Sequence, residues 1–287
     1  MIPGEFDYHR PNSVNEAVAL LASLGETGRV VAGGHSLIPM MKLRLALPEH
    51  LIDLQRLDEL KTITVEGGKV TIGALVTQHN IIESAALSAS CPILKETALQ
   101  IADPQVRYCG TIGGNVANGD PGNDMPAVMM ALNASYSLAS PDGVRNIPAR
   151  AFYSGPFFTE ISDNEILTHI QFDAPSTGHG SSYEKQKRKI GDYATAAAAV
   201  LIEMSGSRCV NASVALSNVG DTPIYVDQAT PLLVGTDVGD SDIDGAINAA
   251  KAMTKPASDG RGPAEFRTHV AGEMVRRAIN SAKNRAA

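Results

Sequence analysis

The chain has 287 residues, 44% hydrophobic and 19% charged, with a formal net charge of -7; this is a globular composition with room for about two domains. Nucleic-acid binding runs on clustered Lys and Arg, so the acidic balance argues against a nucleic-acid partner. No apolar run approaches the roughly 18 residues that a membrane-spanning helix needs.

The first stretch, MIPGEFDYHRP, has neither the basic start nor the apolar segment of a secretory signal, which points to the cytoplasm. Ser13-Val14-Asn15-Glu16 reads as a capping box. Ala17, Val18, Leu21 and Leu24 then share one helical face until Gly25 and Gly28 stop the helix. RVVAGG is a short strand running into a glycine turn, and HLIDL at 50–54 is a second buried strand. TITVEGGKVTIGA, from residue 62, is two alternating runs around Gly67-Gly68, a hairpin, so antiparallel pairing replaces parallel. Helical patterns follow at 77–87, 93–102 and 125–132, then a second hairpin around SPDGV and an apolar strand at 165–172. Residues 174–181 read as a linker. Beyond it, YEKQKR, AAAAVLIEM and CVNASVALSN give three strands, and 243–253 and 264–283 are helical. The textures divide the chain into 1–176, itself split at about 55 into 1–55 and 56–176, and a C-terminal domain at 177–287.

Two glycine loops carry the functional signal. The first, Ala32-Gly33-Gly34-His35-Ser36-Leu37, follows a strand. Asp53 stands 20 residues beyond Gly33, as a Rossmann acidic residue would, but the Gly-x-Gly-x-x-Gly spacing is missing, and no Walker lysine follows. The second is TIGGNVANGDPGNDMPA, 111–127, with four glycines and two prolines in seventeen positions. Tight turns would account for either loop. Alternatively, consecutive small residues can turn several N–H groups inward as a nest for anionic oxygens. No Lys or Arg occurs from Tyr108 to Val144, so a diphosphate there would rely on main-chain dipoles and neutral donors such as Ser36, Thr111 and Asn115.

The other candidates have ordinary explanations beside the functional one. Asp124 precedes Met125-Pro126 and could simply cap a helix. Lys185, Lys187, Arg188 and Lys189 could be the solvated face of an edge strand. Tyr193 could fill a core, as could Met40 and Met41. Cys91, Cys109 and Cys209 are odd in number with no Cys-x-x-Cys, so reduced thiols are expected rather than disulfides or a cluster site. The seven histidines show no paired metal spacing, and no metal site is expected.

AGGHSLIPMMKLRLA, TIGGNVANGDPGNDMPA and KQKRKIGDYATAAAAV, in this order and at these distances, resemble the FAD-binding medium subunits of the molybdenum hydroxylases, most closely the branch serving aerobic carbon monoxide dehydrogenase. The resemblance implies an α+β protein: a p-cresol methylhydroxylase-like FAD-binding domain of two α/β subdomains, then a C-terminal domain of a three-stranded antiparallel sheet with helices. It places Ala32, Gly33, Gly34, His35, Ser36 and Leu37, with Thr111, Gly113, Gly114 and Asn115, at the FAD diphosphate and ribityl chain. Asn118, Asn123 and Asp124 add polar contacts. Ile101, Ala102, Val106 and Gly110 fall at the adenosine and phosphate side, and Leu167, Lys185 and Tyr193 near the isoalloxazine. Lys185 could there stabilise an anionic reduced flavin. Met125 stands where a histidine is the family's habit and is left out of the site.

The implied function is electron transfer through FAD, with no catalytic residue and no metal ligand on this chain. Two 2Fe–2S clusters would sit on a small subunit and a molybdopterin cofactor on a large one, assembled as a dimer of heterotrimers, with a membrane quinone or its carrier as acceptor and the inner face of the membrane as a location. Two alternatives come from other classes. A self-sufficient FAD-dependent reductase would need its own acid or base in a substrate pocket, and a nucleotide-binding module would need no chemistry.

Overall fold

The computed structural model describes residues 2–286. The first layer is a parallel sheet of β1 (Asp7–His9), β2 (Gly28–Val31) and β3 (His50–Asp53), ordered β1-β3-β2. Helix α1 (Val14–Leu24) joins β1 to β2, and α2 (Leu37–Lys42) follows β2. The Ser13 side chain accepts the Glu16 N–H, as the capping signal requires, but the Glu16 carboxylate reaches back to the N–H of Asn12 rather than Ser13. Ala17, Val18 and Leu21 are buried against Ile52 and Leu54. Strand β1 lies outside the sequence expectation, because three residues with two exposed carry no alternation.

The second layer is an antiparallel five-stranded sheet. Its strands are β4 (Ile63–Glu66), β5 (Lys69–Gly73), β6 (Ser135–Ser140), β7 (Gly143–Pro148) and, after the small hairpin of β8 (Tyr153–Gly155) and β9 (Phe158–Thr159), β10 (Ile166–Asp173). The order is β4-β5-β10-β6-β7. Gly67 and Gly68 have φ of 58° and 78°, the left-handed pair that a two-residue hairpin turn needs. Between β5 and β6 lie α3 (Gln78–Glu83), α4 (Ala85–Ser90), α5 (Pro92–Gln100), α6 (Pro104–Cys109), α7 (Ile112–Ala117) and α8 (Met125–Ala131). The single helix expected at 77–87 is two, since Ser84 ends α3 and its hydroxyl caps α4. Helix α6 stands where no element was expected, and α7 replaces the start of the second glycine loop. Each has six residues, and the two glycines of α7 lower its helical propensity by about 1 kcal/mol apiece.

The third layer has four strands: β11 (Gly180–Gln186), β12 (Ala196–Ser205), β13 (Arg208–Ser217) and β14 (Ile224–Tyr225), all antiparallel in that order. The sheet thus has one strand more than expected, β14 being too short to leave a pattern. The linker ends earlier, since Gly180 and Ser181 already pair with β12. Helices α9 (Thr230–Leu233), α10 (Asp240–Met253) and α11 (Ala264–Arg285) complete the chain. Strand β12 is apolar from Ala196 to Ile202 because both its faces are covered there. Ala196, Ala198, Val200 and Ile202 pack with α10 and α11, whereas Ala197, Ala199 and Leu201 join the core of the second layer. The alanines leave room for helices on both sides.

Close approach is most extreme at Gly180, where a Cβ would lie 1.7 Å from the carbonyl oxygen of Ala282 in α11. Gly180→Ala should therefore push α11 off the sheet and lower stability by about 1–3 kcal/mol in urea unfolding. Gly206→Ala, at an open turn position with nothing within 4 Å, should leave α11 packing undisturbed.

Candidate functional site

The three layers meet around a cleft of about 700 Å³, within the range of small-molecule sites. All of the residues that the family resemblance assigns to FAD, from Ala32 to Tyr193, line it. They come from the β2–α2 loop, the 101–124 segment, β10, β11 and the loop before β12.

The first glycine loop is shaped by contact with the second segment. A Cβ at Gly33 would fall 2.3 Å from the Cys109 carbonyl oxygen and 2.8 Å from Gly110 Cα, so backbone packs directly on backbone there. Gly34 has φ 72°, and its carbonyl accepts the Ile38 N–H that opens α2. The N–H groups of Gly34, His35 and Ser36 make no hydrogen bond among the described residues and remain for a ligand.

The second segment differs from the expected nest. Thr111 caps α7, and the N–H groups of Ile112, Gly113 and Gly114 are taken by Val76 O, Ala74 O and Thr111 Oγ1. A Cβ at Gly113 would meet Ala74 O at 2.5 Å, so this glycine serves packing against the strand end after β5. Gly114 differs, with only Thr111 Oγ1, at 3.0 Å, near its Cβ position. Asn115 is occupied too. Its Oδ1 accepts the Met125 N–H and its carbonyl accepts from Asn123 Nδ2, so Asn115 caps α8. Met125 itself is fully buried.

Asp124 does not cap α8. Its Oδ1 accepts from the Tyr183 hydroxyl at 2.5 Å and its Oδ2 from Lys185 Nζ at 2.9 Å. The Lys185 side chain is 1% exposed and that of Asp124 7%, so the edge-strand explanation of Lys185 fails although β11 is an edge strand. Burial lifts the Asp124 carboxyl above its ordinary value, opposed by the Lys185 charge and the Tyr183 hydrogen bond. Burial and the neighbouring Asp124 raise the Tyr183 phenol well above its ordinary range.

The walls are apolar at Ile101 and Leu167, both buried. Ala102 is held at φ 42°, where a Cβ is disfavoured, while Arg107 Nη1 bonds the carbonyls of Ile101 and Ala102 and staples the turn. Tyr193 is 45% exposed rather than core, its ring lying over Gly122, where a Cβ would be 2.7 Å from Cδ1. Burial and Asp120 push its hydroxyl up to about 12. Met41 is core, but Met40 is exposed and lines the cleft. Val106, Gly110 and Asn118 lie on the lining without a distinctive side-chain bond.

Sequence reasoning missed several lining residues. Glu165 is held by both nitrogens of a fork from Arg145, at 2.5 and 2.7 Å, which keeps its carboxyl below the usual range. Gln78 begins α3 and is 1% exposed, with no protein partner for either amide atom. Arg29 had no pattern to mark it. No group of three or more His, Cys, Asp or Glu able to hold a metal occurs among the described residues. Cys91 and Cys209 are buried free thiols, and Cys109 is an exposed one.

Residues 4–175 match the family described as the FAD binding domain in molybdopterin dehydrogenase, and residues 181–282 match the CO dehydrogenase flavoprotein C-terminal domain. The chain belongs to these flavoprotein subunits of molybdopterin dehydrogenases. It is 59% identical over 286 residues to the carbon monoxide dehydrogenase medium chain of Afipia carboxidovorans, covering 100% of this chain and 99% of that one. It is 46% identical to the medium chain of the same name from Hydrogenophaga pseudoflava, with both chains fully covered. Among solved structures, a chain of the cyanide-inactivated Cu,Mo-CO dehydrogenase superposes with a TM-score of 0.98 at 59% identity, and one of quinoline 2-oxidoreductase from Pseudomonas putida 86 with 0.94 at 32%. The first pair is covered completely; the second to 100% and 99%.

Within this flavoprotein fold the Asp124–Lys185 pair ties the second layer to the third. Asp124→Asn alone strands a buried ammonium, and the expected loss is about 3–5 kcal/mol. Asp124→Asn with Lys185→Met should lose clearly less than the sum of the singles in a denaturation double-mutant cycle. Additive losses would mean that the two charges do not act as a pair.

Proposed function

We propose that this chain is the FAD-carrying electron-transfer subunit of a molybdenum-hydroxylase-type carbon monoxide dehydrogenase. The observation that carries the proposal is the convergence of three separated sequence motifs on one cleft whose lining fits FAD. The free N–H groups at Gly34, His35 and Ser36 suit a diphosphate. Apolar Ile101 and Leu167 suit flat ring surfaces, and the buried carboxamide of Gln78 has polar capacity still to fill.

FAD, when bound, exchanges electrons in pairs and singly, which lets it link iron–sulfur centres to a two-electron acceptor. The chain's own residues hold and orient it. Ala32 to Leu37 would border the diphosphate and ribityl chain, together with Thr111, Gly113, Gly114 and Asn115. Asn118, Asn123 and Asp124 supply polar surroundings, and Ile101, Ala102, Val106 and Gly110 the adenosine side. Leu167, Lys185 and Tyr193 stand by the isoalloxazine. There the buried Lys185 charge, shared with Asp124, favours electron-rich forms of the ring.

Carbon monoxide and water would react on a large molybdopterin subunit, giving carbon dioxide, two protons and two electrons. The electrons would cross two 2Fe–2S clusters of a small subunit before reaching this chain. We place the three subunits in a dimer of heterotrimers, with a quinone or its carrier as acceptor at the inner face of the cytoplasmic membrane. No helix of the described residues is long and apolar enough to cross a membrane itself. We divide the chain into an FAD-binding domain, 1–176, with subdomains meeting at about 55, and a C-terminal domain, 177–287.

The test is FAD content of the assembled complex after gel filtration, with flavin released by acid to establish that it is noncovalent. Gly114 is helical with open space around its Cβ apart from Thr111 Oγ1, so Gly114→Val should fold with a stability change within about 1 kcal/mol yet lose FAD. Gly67→Val, at φ 58°, should lose about 1–2 kcal/mol of stability and keep FAD. The reverse pattern would overturn the assignment of the cleft.

A further inference from the structure

We propose that Gln78 is a cofactor contact, its carboxamide hydrogen-bonding a hydroxyl of the ribityl chain of FAD; the inference rests on the FAD assignment of the cleft. Gln78 is the first residue of α3 and lines the cleft, yet it is 1% exposed. Neither Nε2 nor Oε1 has a hydrogen-bond partner among the described residues. Leaving a buried amide unpaired is unfavourable, and buried polar groups in folded proteins nearly always find partners. A glutamine this buried on the lining of a cleft, with neither amide atom paired, points to a partner supplied from the cleft.

The position identifies which part of the ligand that is. The Gln78 N–H donates to Gly110 O, and Thr77 bridges Thr111, so α3 starts alongside the segment running from Gly110 into α7. This is the segment assigned above to the diphosphate and ribityl chain. The chemistry narrows it further. A carboxamide offers both donor and acceptor. A phosphate oxygen would satisfy Nε2 and leave Oε1 stranded, whereas a hydroxyl can accept from one and donate to the other. The ribityl chain carries hydroxyls next to the diphosphate.

The experiment uses the three-subunit complex stripped of flavin, with Gln78→Met as a near-isosteric variant. FAD is titrated by quenching of its fluorescence, ADP is titrated as a competitor, and thermal unfolding of the flavin-free complex is recorded. The expected result is FAD affinity weakened about tenfold, ADP affinity unchanged and a flavin-free midpoint unchanged or higher. Unchanged FAD affinity with a lowered flavin-free midpoint would mean that the amide is satisfied internally, for instance through a buried water, and would overturn the inference alone. Equal weakening of FAD and ADP would also overturn it, by moving the contact to the diphosphate or adenosine half. Failure of the wild-type complex to take up FAD would overturn the cleft assignment itself.

Discussion

The cleft exists because two pieces of backbone touch without side chains between them. Gly33, two residues beyond the end of β2, lies so close to Cys109 and Gly110 that even a methyl group would overlap the facing carbonyl oxygen. Gly113 is pressed as hard on Ala74. The first contact joins the parallel layer to the helical segment above the antiparallel sheet, and the second pins that segment to the end of β5. A Cβ at either point would pry the layers apart and spread the floor of the cleft. The glycines thus act mainly between protein and protein, and the open N–H groups of the β2–α2 loop are a consequence of how tightly that loop is drawn in.

The opposite wall depends on charge rather than close backbone. Lys185 in β11 is sealed from solvent, and a buried ammonium is tolerable only with a counterion that is itself satisfied. Asp124 at the start of α8 supplies the charge and Tyr183 satisfies the carboxylate's second oxygen. Both partners of Asp124 lie on one strand two residues apart, so they face the same side of β11. Because Asp124 is committed to them, the first turn of α8 takes its cap from Asn115 instead. A single buried pair therefore determines how α7, α8 and the C-terminal sheet meet.

What was legible in the sequence follows from how local each signal is. The hairpin at Gly67-Gly68, the Ser13 cap of α1 and the apolar run of β12 depend on neighbours within a few residues, and each stands in the structure. Helix α7 was not legible, since glycine suppresses helical propensity and here packing against Ala74 overrides it. The residues that the motif resemblance singled out all line the cleft, but their bonding partners could not be read from the motifs. Asp124 looked like a cap because its true partners are 59 and 61 residues away. Gln78 looked like any polar residue at a helix start, and only its burial without partners sets it apart.

Because the cleft draws its lining from all three layers, binding there cannot be a property of one of them. A ligand that recognises the native cleft stabilises the whole molecule by mass action, about 2.7 kcal/mol at a hundredfold excess over the dissociation constant. That energy is available only while β11 holds Lys185 and Tyr183 against Asp124 and the β2–α2 loop stays drawn onto Gly110. The alanine strand β12 makes this coupling rigid. One of its faces belongs to the core beneath the cleft and the other to the core under α10 and α11. Lys185 itself pairs in the ladder with Ala197 of that strand. The C-terminal layer is thus a structural part of the cleft, even though it contributes few of the residues that line it.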